Sequence, residues 1–353
     1  MHLPAGGPVT YALPRRHVAE TALALPELGL GTAPVGNLYR PVSDEDAART
    51  LATALDAGIA YADTAPFYGF GLAEQRLGAA LAGRSDVVVS TKVGRLLHPA
   101  DGPLPPEREC YHQALPFVPV FDYSHDGVLR SHETSLKRLG RDRIDILYVH
   151  DIGRMTHGEA HPAMIAQLVE GGGFRALERL RSEGAISAFG LGVNEIPVCL
   201  ELMDRARMDV ILLAGRYTLL EQEALDVLLP RCLAERVSVV IGGPYNSGIL
   251  AAGTAAPRLA YNYAPAPAAI IERAQRIEAV CARHRVSVGA AALQFVLAHP
   301  AVASVIPGIA QPKEAEETME RYRAVLPAAL WEELKAEGLL RADAPTPGMA
   351  AAA

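Results

Sequence analysis

The sequence predicts an α/β fold, a (β/α)8 TIM barrel that forms one domain. Two observations lead to this prediction. Short apolar runs rich in Val, Ile and Leu alternate with amphipathic helical patterns, which is typical of a parallel sheet with right-handed crossovers. Eight such units occupy about 300 of the 353 residues, and eight units favour a closed barrel over an open, doubly wound sheet.

The predicted elements follow each other in a regular order. Ser43, with Asp46 three residues later, predicts the cap of a first helix that Gly58 ends. Gly140 and Gly184 are expected to end two later helices in the same way. The helical patterns begin near residues 43, 72, 128, 174, 196, 225, 270 and 288, and the predicted strands cover residues 28–30, 58–62, 86–91, 144–149, 186–191, 210–213, 237–241 and 303–306.

Two long connections interrupt this alternation, after the third and fourth predicted strands. They cover residues 94–127 and 151–173, and loops of this length are uncommon unless they are functional or disordered. The first is rich in aromatic and apolar residues, which predicts a folded lid. We expect the barrel core to span about residues 26–325 and the small residues of 342–353 to form a disordered tail.

Composition narrows the classes of function. The formal charge is −7 with no run of basic residues, which argues against nucleic acid and anionic membranes as partners. No apolar stretch approaches the roughly 20 residues that span a bilayer, and the first 25 residues contain no signal-peptide core, so we expect a cytoplasmic protein. His150 and Asp151, with His157 and His161 nearby, are interpreted as a polar loop, and no metal is expected. The four cysteines, Cys110, Cys199, Cys232 and Cys281, lack the spacing of a disulfide framework or a zinc site. The last three lie on apolar helical faces and are interpreted as small hydrophobic residues.

Four polar residues lie at or just beyond the carboxyl ends of three predicted strands: Asp63, Tyr68, Lys92 and His150. A parallel barrel gathers its strand ends into one pocket, so these residues are expected to meet. Lys92 beside Tyr68 is expected to lower the pKa of the phenol by about two to three units, with Asp63 holding the lysine in place. His150 can then bond the same substrate oxygen, and because none of the four can accept a hydride, redox chemistry here requires an organic cofactor.

Each of these residues also has a structural interpretation. Asp63 could cap the helix that follows it, and His150 with Asp151 could form an ordinary turn. Tyr68 before a glycine is a common sequence. Lys92 could be solvated or could form a Schiff base. The joint pattern at three strand ends favours the catalytic interpretation over these alternatives.

The sequence resembles the aldo-keto reductase superfamily from about Leu28 to Tyr322. The resemblance rests on residues 61–69 (Y-A-D-T-A-P-F-Y-G), 90–94 (S-T-K-V-G), 135–150 with its terminal histidine, and 190–194 (G-L-G-V-N). It implies a (β/α)8 barrel, a nicotinamide dinucleotide as cofactor, and Tyr68 as the proton donor or acceptor with Lys92, Asp63 and His150 in the catalytic set.

The resemblance also implies a set of cofactor-binding residues. The family's aromatic residue that stacks on the nicotinamide falls at Gly242, so the stacking contact is expected either to be missing or to be supplied from elsewhere, with Tyr217 as the candidate. The loop after that glycine could cradle the pyrophosphate through its backbone N–H groups. The implied residues are Gly31, Thr32, Asn194, Tyr217, Gly242, Gly243, Pro244, Tyr245, Asn246, Ser247, Gly248, Pro307, Gly308, Ile309, Gln311, Glu314 and Glu317.

The last strand end predicts which dinucleotide is preferred. Residues 306–311 match the family segment where an arginine or lysine often meets the 2′-phosphate of NADP, and this chain has Ala310 there. Lys313 lies one helical step away, and Glu314, Glu316 and Glu317 make the neighbourhood acidic. Because a phosphate favours a bidentate cation, we expect NAD to be preferred, with NADP possible as a weaker cofactor.

Three segments, residues 121–124, 150–151 and 242–250, resemble the sugar 1-dehydrogenases of this superfamily. The resemblance implies oxidation of the anomeric hydroxyl of an aldose, of the L-fucose or D-threo-aldose type, to a lactone. The main alternative is a pyridoxal 4-dehydrogenase activity, in which the pyridoxal hemiacetal becomes 4-pyridoxolactone. A Schiff-base aldolase using Lys92 and a non-catalytic nucleotide-binding regulatory subunit are two further alternatives. The expected partner is a small molecule, and the protein is expected to be a monomer or homodimer.

Overall fold

The structure, a computed structural model, describes residues 12–256 and 259–348 and shows a sheet of eight parallel strands. In chain order they are β1 (Leu30–Gly31), β2 (Tyr61–Asp63), β3 (Val88–Val93), β4 (Ile146–His150), β5 (Ala188–Val193), β6 (Val210–Ala214), β7 (Ser238–Gly242) and β8 (Val302–Ile306). Each strand pairs in parallel with the next one in the chain. The predicted fold class is confirmed.

Hydrogen bonds between β8 and β1 bring the two ends of the sheet together. Val305 N–H donates to the Glu27 carbonyl at 2.8 Å, and Gly29 N–H donates to the Val305 carbonyl at 2.9 Å. One residue pair further along, Gly31 N–H donates to the Pro307 carbonyl at 2.9 Å. The carboxyl ends of all eight strands therefore surround a single mouth.

Helices alternate with the strands and end where the sequence predicts. Ser43 Oγ accepts a hydrogen bond from Asp46 N–H at 3.0 Å, and Gly140 ends its helix with a left-handed φ of 60°. Most strands begin one to three residues later than predicted, because a strand begins at its first ladder hydrogen bonds rather than where the apolar run begins. The helices are Asp44–Asp56, Leu72–Ala80, His125–Leu139, Gly173–Ser182, Pro197–Met203, Leu228–Ala234, Ala268–Arg283, Val288–Leu297, Pro312–Arg323 and Ala328–Ala336.

A hairpin that the sequence analysis missed closes the opposite end of the barrel. Its strands, Arg15–His17 and Ala24–Pro26, pair antiparallel just before β1. Ala19 N–H donates to the hydroxyl of Ser238, the first residue of β7, at 2.8 Å, which places the hairpin at the amino-terminal ends of the strands. Leu25 is fully buried among the side chains inside the barrel. Only the mouth at the carboxyl ends is left for a site.

Both long connections leave from the mouth and are folded. The one after β3 forms an antiparallel hairpin of Arg95–Pro99 with Phe117–Phe121, and a smaller hairpin of Glu107–Arg108 with Tyr111–His112 lies within it. This agrees with the folded lid predicted for residues 94–127. The connection after β4 contains two helices that were not predicted, Arg154–His157 and His161–Val169. After β7 come the short helix Ile249–Ala252 and a hairpin of Ala260–Tyr261 with Ala264–Pro265.

The described part of the C-terminal tail is packed, which corrects the prediction of disorder for residues 342–348. Ala344 is fully buried and Thr346 is only 4 % exposed. The side chain of Gln222 fixes the start of the tail: it accepts from Arg341 N–H at 2.8 Å and donates to the Leu339 carbonyl at 3.1 Å. Residues 349–353 of the predicted tail lie outside the described residues.

The helices bear on two expectations from the sequence: how the cysteines pack, and whether a segment could cross a membrane. Cys199, Cys232 and Cys281 are buried in the apolar core, as predicted for small hydrophobic residues. In the described ranges 12–256 and 259–348, no helix combines the length and apolar character needed to cross a membrane.

Gly190 in β5 has no room for a side chain, and this gives a test of the barrel's packing. A Cβ at Gly190 would lie 1.7 Å from the Val210 carbonyl oxygen of neighbouring β6, whereas a Cβ at Gly102 would meet nothing within 4 Å. We expect Gly190→Ala to lower the free energy of unfolding by about 3 kcal/mol or more, because backbone atoms must move apart. Gly102→Ala should change it by less than about 0.5 kcal/mol. Urea unfolding followed by circular dichroism measures both, and equal midpoints would contradict the strand register.

Candidate active site

The four polar side chains singled out from the sequence lie together at the barrel mouth. Asp63 is the last residue of β2, Lys92 the penultimate residue of β3 and His150 the last residue of β4. Tyr68 begins a short 3-10 turn, Tyr68–Gly71, that follows β2. The predicted convergence at the strand ends is therefore what the structure shows.

A buried ion pair anchors this group. Lys92 Nζ lies 2.6 Å from Asp63 Oδ2, and each side chain is only 2 % exposed. Lys92 also donates to the Thr64 carbonyl at 2.9 Å, and Ser90 Oγ donates to Asp63 Oδ1 at 2.7 Å. Burial raises the pKa of Asp63, and the Lys92 ammonium opposes that rise. The pair therefore presents an ammonium group in a fixed position.

Tyr68 lies beside this ammonium. Lys92 Nζ is 4.7 Å from the centre of the Tyr68 ring. Burial nonetheless raises the pKa of Tyr68 well above its usual value of 10.0, and the charge of Asp63 adds to the rise. The expectation of a lowered pKa for Tyr68 is therefore wrong for the protein alone, because burial of the phenol raises this pKa and the charge of Asp63 adds to the rise.

His150 is a neutral imidazole next to the phenol. Its ring centre lies 6.1 Å from that of Tyr68, with the ring planes at 85°. Burial lowers the pKa of His150 well below 6.5, and the charges of Arg95 and Lys92 lower it further. Its Nδ1 has no hydrogen-bond partner among the described residues. The neutral ring can donate one hydrogen bond to a substrate oxygen.

A cavity of about 270 Å³ opens between Tyr68, Lys92 and His150. Asp63 does not line it but lies behind Lys92. The sequence analysis missed most of the other lining residues. The aromatic and acidic residues among them are Phe67, Tyr111, Tyr263, Glu109 and Asp151.

Two tight hairpin turns carry several of these missed residues. Glu109 and Cys110 have φ angles of 50° and 65°, and Asn262 and Tyr263 have φ angles of 50° and 63°. Two successive positive φ angles are typical of the two-residue turns that join hairpin strands. An asparagine that adopts this conformation readily was the available signal at Asn262, whereas Glu109 and Cys110 offered none.

The residues expected to hold the dinucleotide lie around the other side of the mouth. Asn194 lines the cavity, and its carbonyl accepts from Arg216 Nε at 2.5 Å. A Cβ at Gly242 would lie 3.1 Å from Leu212 Cδ2 and 3.3 Å from Ala214 Cβ, so a larger residue there would require these side chains to shift. Near β1, Gly31 N–H bonds the Pro307 carbonyl, and the Thr32 hydroxyl bonds the Asp63 carbonyl at 2.9 Å.

The loop after β7 has the features of an anion-binding turn. Asn246, Ser247 and Gly248 have successive positive φ angles of 44°, 58° and 97°. Gly243 and Gly248 are exposed, and the buried Asn246 Oδ1 has no hydrogen-bond partner among the described residues. Asn246 N–H and Gly248 N–H already donate to the Gly243 and Tyr245 carbonyls within the turn, so Ser247 N–H between them is the group that can meet a phosphate. The unpartnered Asn246 Oδ1 can accept from a hydroxyl group, and these residues fit a dinucleotide. Their contacts with the cofactor stay predictions, as do those of Pro244, Pro307, Gly308 and Ile309.

Two tyrosines of the predicted cofactor set point away from the cavity. Tyr217 is fully buried, and its ring packs against Phe295 with 5.2 Å between centres. A ring without exposed surface cannot stack on a nicotinamide, which corrects the expectation for Tyr217. Tyr245 is also buried, and the Arg321 guanidinium lies 5.6 Å from its ring centre.

The acidic end of the cofactor site includes a cation that the sequence analysis missed. Arg40 Nη2 lies 3.7 Å from Glu314 Oε1, and the Gln311 side-chain oxygen accepts from Arg40 Nη1 at 2.8 Å. Glu314 also accepts from Ala310 N–H at 2.7 Å. Glu317 pairs with Lys313 and Arg321 on its own helix. Arg40 is therefore already engaged by its neighbours.

The histidines after β4 have separate protein partners. His157 Nε2 lies 2.9 Å from the Tyr123 hydroxyl. His161 contacts the Ile152 carbonyl at 3.0 Å and Glu201 at 2.9 Å. This arrangement is that of a structured polar connection rather than of a shared ligand set.

Comparison with known proteins supports the interpretation of the site. Residues 27–337 match the Aldo/keto reductase family. The chain is 43 % identical over 335 residues to a pyridoxal 4-dehydrogenase from Microbacterium luteolum, covering 92 % of this chain and 98 % of that one. It is 40 % identical over 334 residues to a D-threo-aldose 1-dehydrogenase from Pseudomonas sp., covering 93 % and 98 %.

Solved structures agree with these relatives. The holo form of an aldo-keto reductase from Bacillus halodurans superposes with a TM-score of 0.71 at 25 % identity, covering 94 % of this chain and 97 % of that one. Family members use nicotinamide dinucleotides, and the cavity, the turn after β7 and the four side chains at the mouth are consistent with that chemistry. The chain belongs to the aldo/keto reductase family, and it is a nicotinamide-dependent oxidoreductase.

Proposed function

We propose that this enzyme oxidises the hemiacetal hydroxyl of a small cyclic substrate to a lactone, with an aldose as the first candidate substrate. The observation that carries the proposal is the cavity at the barrel mouth, where a phenol, a fixed ammonium and a neutral imidazole converge. The two relatives reported above, at 43 % and 40 % sequence identity, are named as a pyridoxal 4-dehydrogenase and a D-threo-aldose 1-dehydrogenase.

The side chains divide the work of moving one proton. Tyr68 takes the proton of the hemiacetal hydroxyl as general base. Lys92 lies beside the phenol, with its Nζ 4.7 Å from the ring centre, while Asp63 and Thr64 hold the lysine in place. His150 donates a hydrogen bond to the same substrate oxygen and so orients the carbon that is oxidised. A bound nicotinamide dinucleotide supplies the hydride acceptor, which no side chain can provide.

The cavity suits a small substrate. Its volume of about 270 Å³ lies just below the roughly 300–1,000 Å³ of pockets for drug-sized ligands. Carboxylates of Glu109 and Asp151 in the wall favour a substrate with several hydroxyl groups. Pyridoxal is the second candidate, because the rings of Tyr111 and Tyr263 could also pack against its aromatic ring.

The geometry of Lys92 argues against a Schiff-base aldolase. A lysine must lose its proton to attack a carbonyl, and burial alone would favour that loss. Here the amine donates to Asp63 Oδ2 at 2.6 Å and to the Thr64 carbonyl at 2.9 Å, and these two contacts hold it in place against attack on a carbonyl. Borohydride with a carbonyl substrate should therefore leave Lys92 unmodified.

The first test combines a substrate panel with one substitution. Purified protein is given NAD and L-fucose, D-arabinose, L-galactose or pyridoxal, and reduced nicotinamide is followed by absorbance. We expect turnover of at least one aldose. Tyr68→Phe should lower kcat at least about 1,000-fold, because the general base is lost. Its affinity for the dinucleotide, measured by fluorescence titration, should change less than about threefold.

A matched control separates this loss from a packing defect. Tyr61 is a buried tyrosine inside the barrel, hydrogen-bonded to Ser90 and remote from the cavity wall. Tyr61→Phe removes the same hydroxyl and should retain most of the activity. No turnover with any member of the panel, or full activity of Tyr68→Phe, would refute the proposed function.

The pKa values at the site predict how oxidation depends on pH. Burial and Asp63 raise the pKa of Tyr68, so the basic phenolate becomes more populated as pH rises towards that value. We expect kcat/KM for oxidation to rise through pH 6–10, by up to about tenfold per unit. His150→Gln should show the same rise at a lower rate, because burial keeps His150 neutral across this range. A plateau near pH 7 would show that the pKa of Tyr68 is low in the working enzyme.

We also propose that NAD is preferred over NADP. Arg40 could meet a 2′-phosphate, but Gln311 and Glu314 already engage it. The carboxylate of Glu314 would also repel that phosphate.

Substitution of Glu314 tests this cofactor preference. Wild type should show a higher kcat/KM with NAD, and Glu314→Gln should raise kcat/KM with NADP about tenfold by releasing Arg40. Glu316→Gln removes an exposed charge from the same helix and serves as the control. A wild-type advantage for NADP of tenfold would contradict the proposal.

A further inference from the structure

A second carboxylate lies beside the catalytic histidine, and the proposed mechanism does not use it. Asp151 follows β4 directly and lines the cavity with Tyr68 and His150. Its side chain is 15 % exposed, and its Oδ2 lies 3.4 Å from His150 Nε2. A carboxylate at this position lies next to the part of the substrate that adjoins the oxygen bonded by His150.

The backbone fixes Asp151 in an uncommon conformation. Its φ angle is 45°, in the left-handed region that residues other than glycine seldom adopt. The Asp151 N–H donates to the Gly192 carbonyl at 2.9 Å, which ties this residue to the end of β5. Strained residues that the surrounding structure holds in place are concentrated at functional sites.

An arginine holds one of the two carboxylate oxygens. Arg95 Nη2 donates to Asp151 Oδ2 at 2.5 Å. The Arg95 guanidinium is itself packed on aromatic rings, 4.1 Å from the centre of Phe67 and 5.2 Å from that of Phe121. The position of the carboxylate is thus set from outside the cavity.

The other oxygen has no protein donor. Among the contacts of the described residues, no hydrogen bond reaches Asp151 Oδ1. This oxygen is open to the cavity rather than fully buried, so a bound ligand can offer it a donor in place of solvent. Because Arg95 already balances the charge, the favoured donor is a neutral hydroxyl rather than a second cation.

We propose that Asp151 accepts a hydrogen bond from the substrate hydroxyl on the carbon next to the one oxidised. His150 and Asp151 are neighbours, so they can hold the oxygens of two adjacent carbons at once. Asp151 then makes the enzyme select aldoses that carry a 2-hydroxyl group. This inference rests on the proposed oxidation of a hemiacetal, and it adds a specificity-determining residue to that reaction.

The test compares an aldose with its 2-deoxy counterpart, L-fucose and 2-deoxy-L-fucose if L-fucose is the best substrate of the panel. In wild type the 2-deoxy sugar should have a kcat/KM lower by roughly 10- to 100-fold, as expected when a hydrogen bond to a charged group is lost. In Asp151→Asn the oxygen must face Arg95, which turns the amide N–H group towards the cavity. This variant should lose the same roughly 10- to 100-fold with the parent sugar and less than about threefold with the 2-deoxy sugar.

Two further variants make the comparison specific. Asp101→Asn makes the same change at an exposed position outside the cavity and should behave as wild type with both sugars. Glu109→Gln alters the other, exposed carboxylate of the wall and should keep the preference for the 2-hydroxyl group.

The outcomes separate this inference from the function on which it rests. Equal kcat/KM of wild type for the two sugars would overturn the role of Asp151, and so would equal losses on both in Asp151→Asn. If the preference for the sugar with the 2-hydroxyl group disappears in Glu109→Gln instead, the hydrogen bond to that hydroxyl belongs to Glu109. Oxidation of pyridoxal alone would also overturn the role of Asp151 while leaving hemiacetal oxidation intact. No oxidation of any hemiacetal would refute the proposed function itself.

Discussion

The buried pair of Lys92 and Asp63 is the interaction on which the site depends. Removing two charges from water is unfavourable unless their remaining hydrogen-bonding groups are satisfied. Here the Thr64 carbonyl and the Ser90 hydroxyl provide that satisfaction, and both lie on or next to the two strands that carry the pair. Space is limited as well, because a Cβ at Gly192 would lie 3.3 Å from Lys92 Cε. The register of β2, β3 and β5 therefore determines where the ammonium points.

A second ion pair, Arg95 with Asp151, lies on the other side of His150. Burial is the main reason why the pKa of His150 is low, and the positive charges of Arg95 and Lys92, one from each pair, lower it further. Burial is also the main reason why the pKa of the Tyr68 phenol is raised, and the negative charge of Asp63 adds to the rise. The site is thus organised to orient hydrogen bonds, and proton transfer must be driven by pH and by the bound reactants.

Much of this arrangement was predictable from the sequence. Strand ends in a parallel barrel converge, so Asp63, Lys92 and His150 could be placed together from three apolar runs alone. The pKa of Tyr68 was predicted in the wrong direction because the sequence places Lys92 nearby but does not show how far burial of the phenol, with the charge of Asp63, disfavours the phenolate. Tyr217 was misplaced for a related reason: only packing against Phe295 shows which way its ring turns.

The sequence could not reveal the cavity residues that distant loops bring together through tertiary contacts. Tyr263 lies on a hairpin after β7, yet its N–H donates to the Ser247 hydroxyl in the predicted cofactor loop at 3.3 Å. Its ring lies 6.3 Å from that of Tyr39, in the connection after β1. One hairpin turn thereby contacts both the loop expected to hold the dinucleotide and the wall expected to hold the substrate. Changes in such turns can therefore alter the cavity and its choice of substrate without moving a strand.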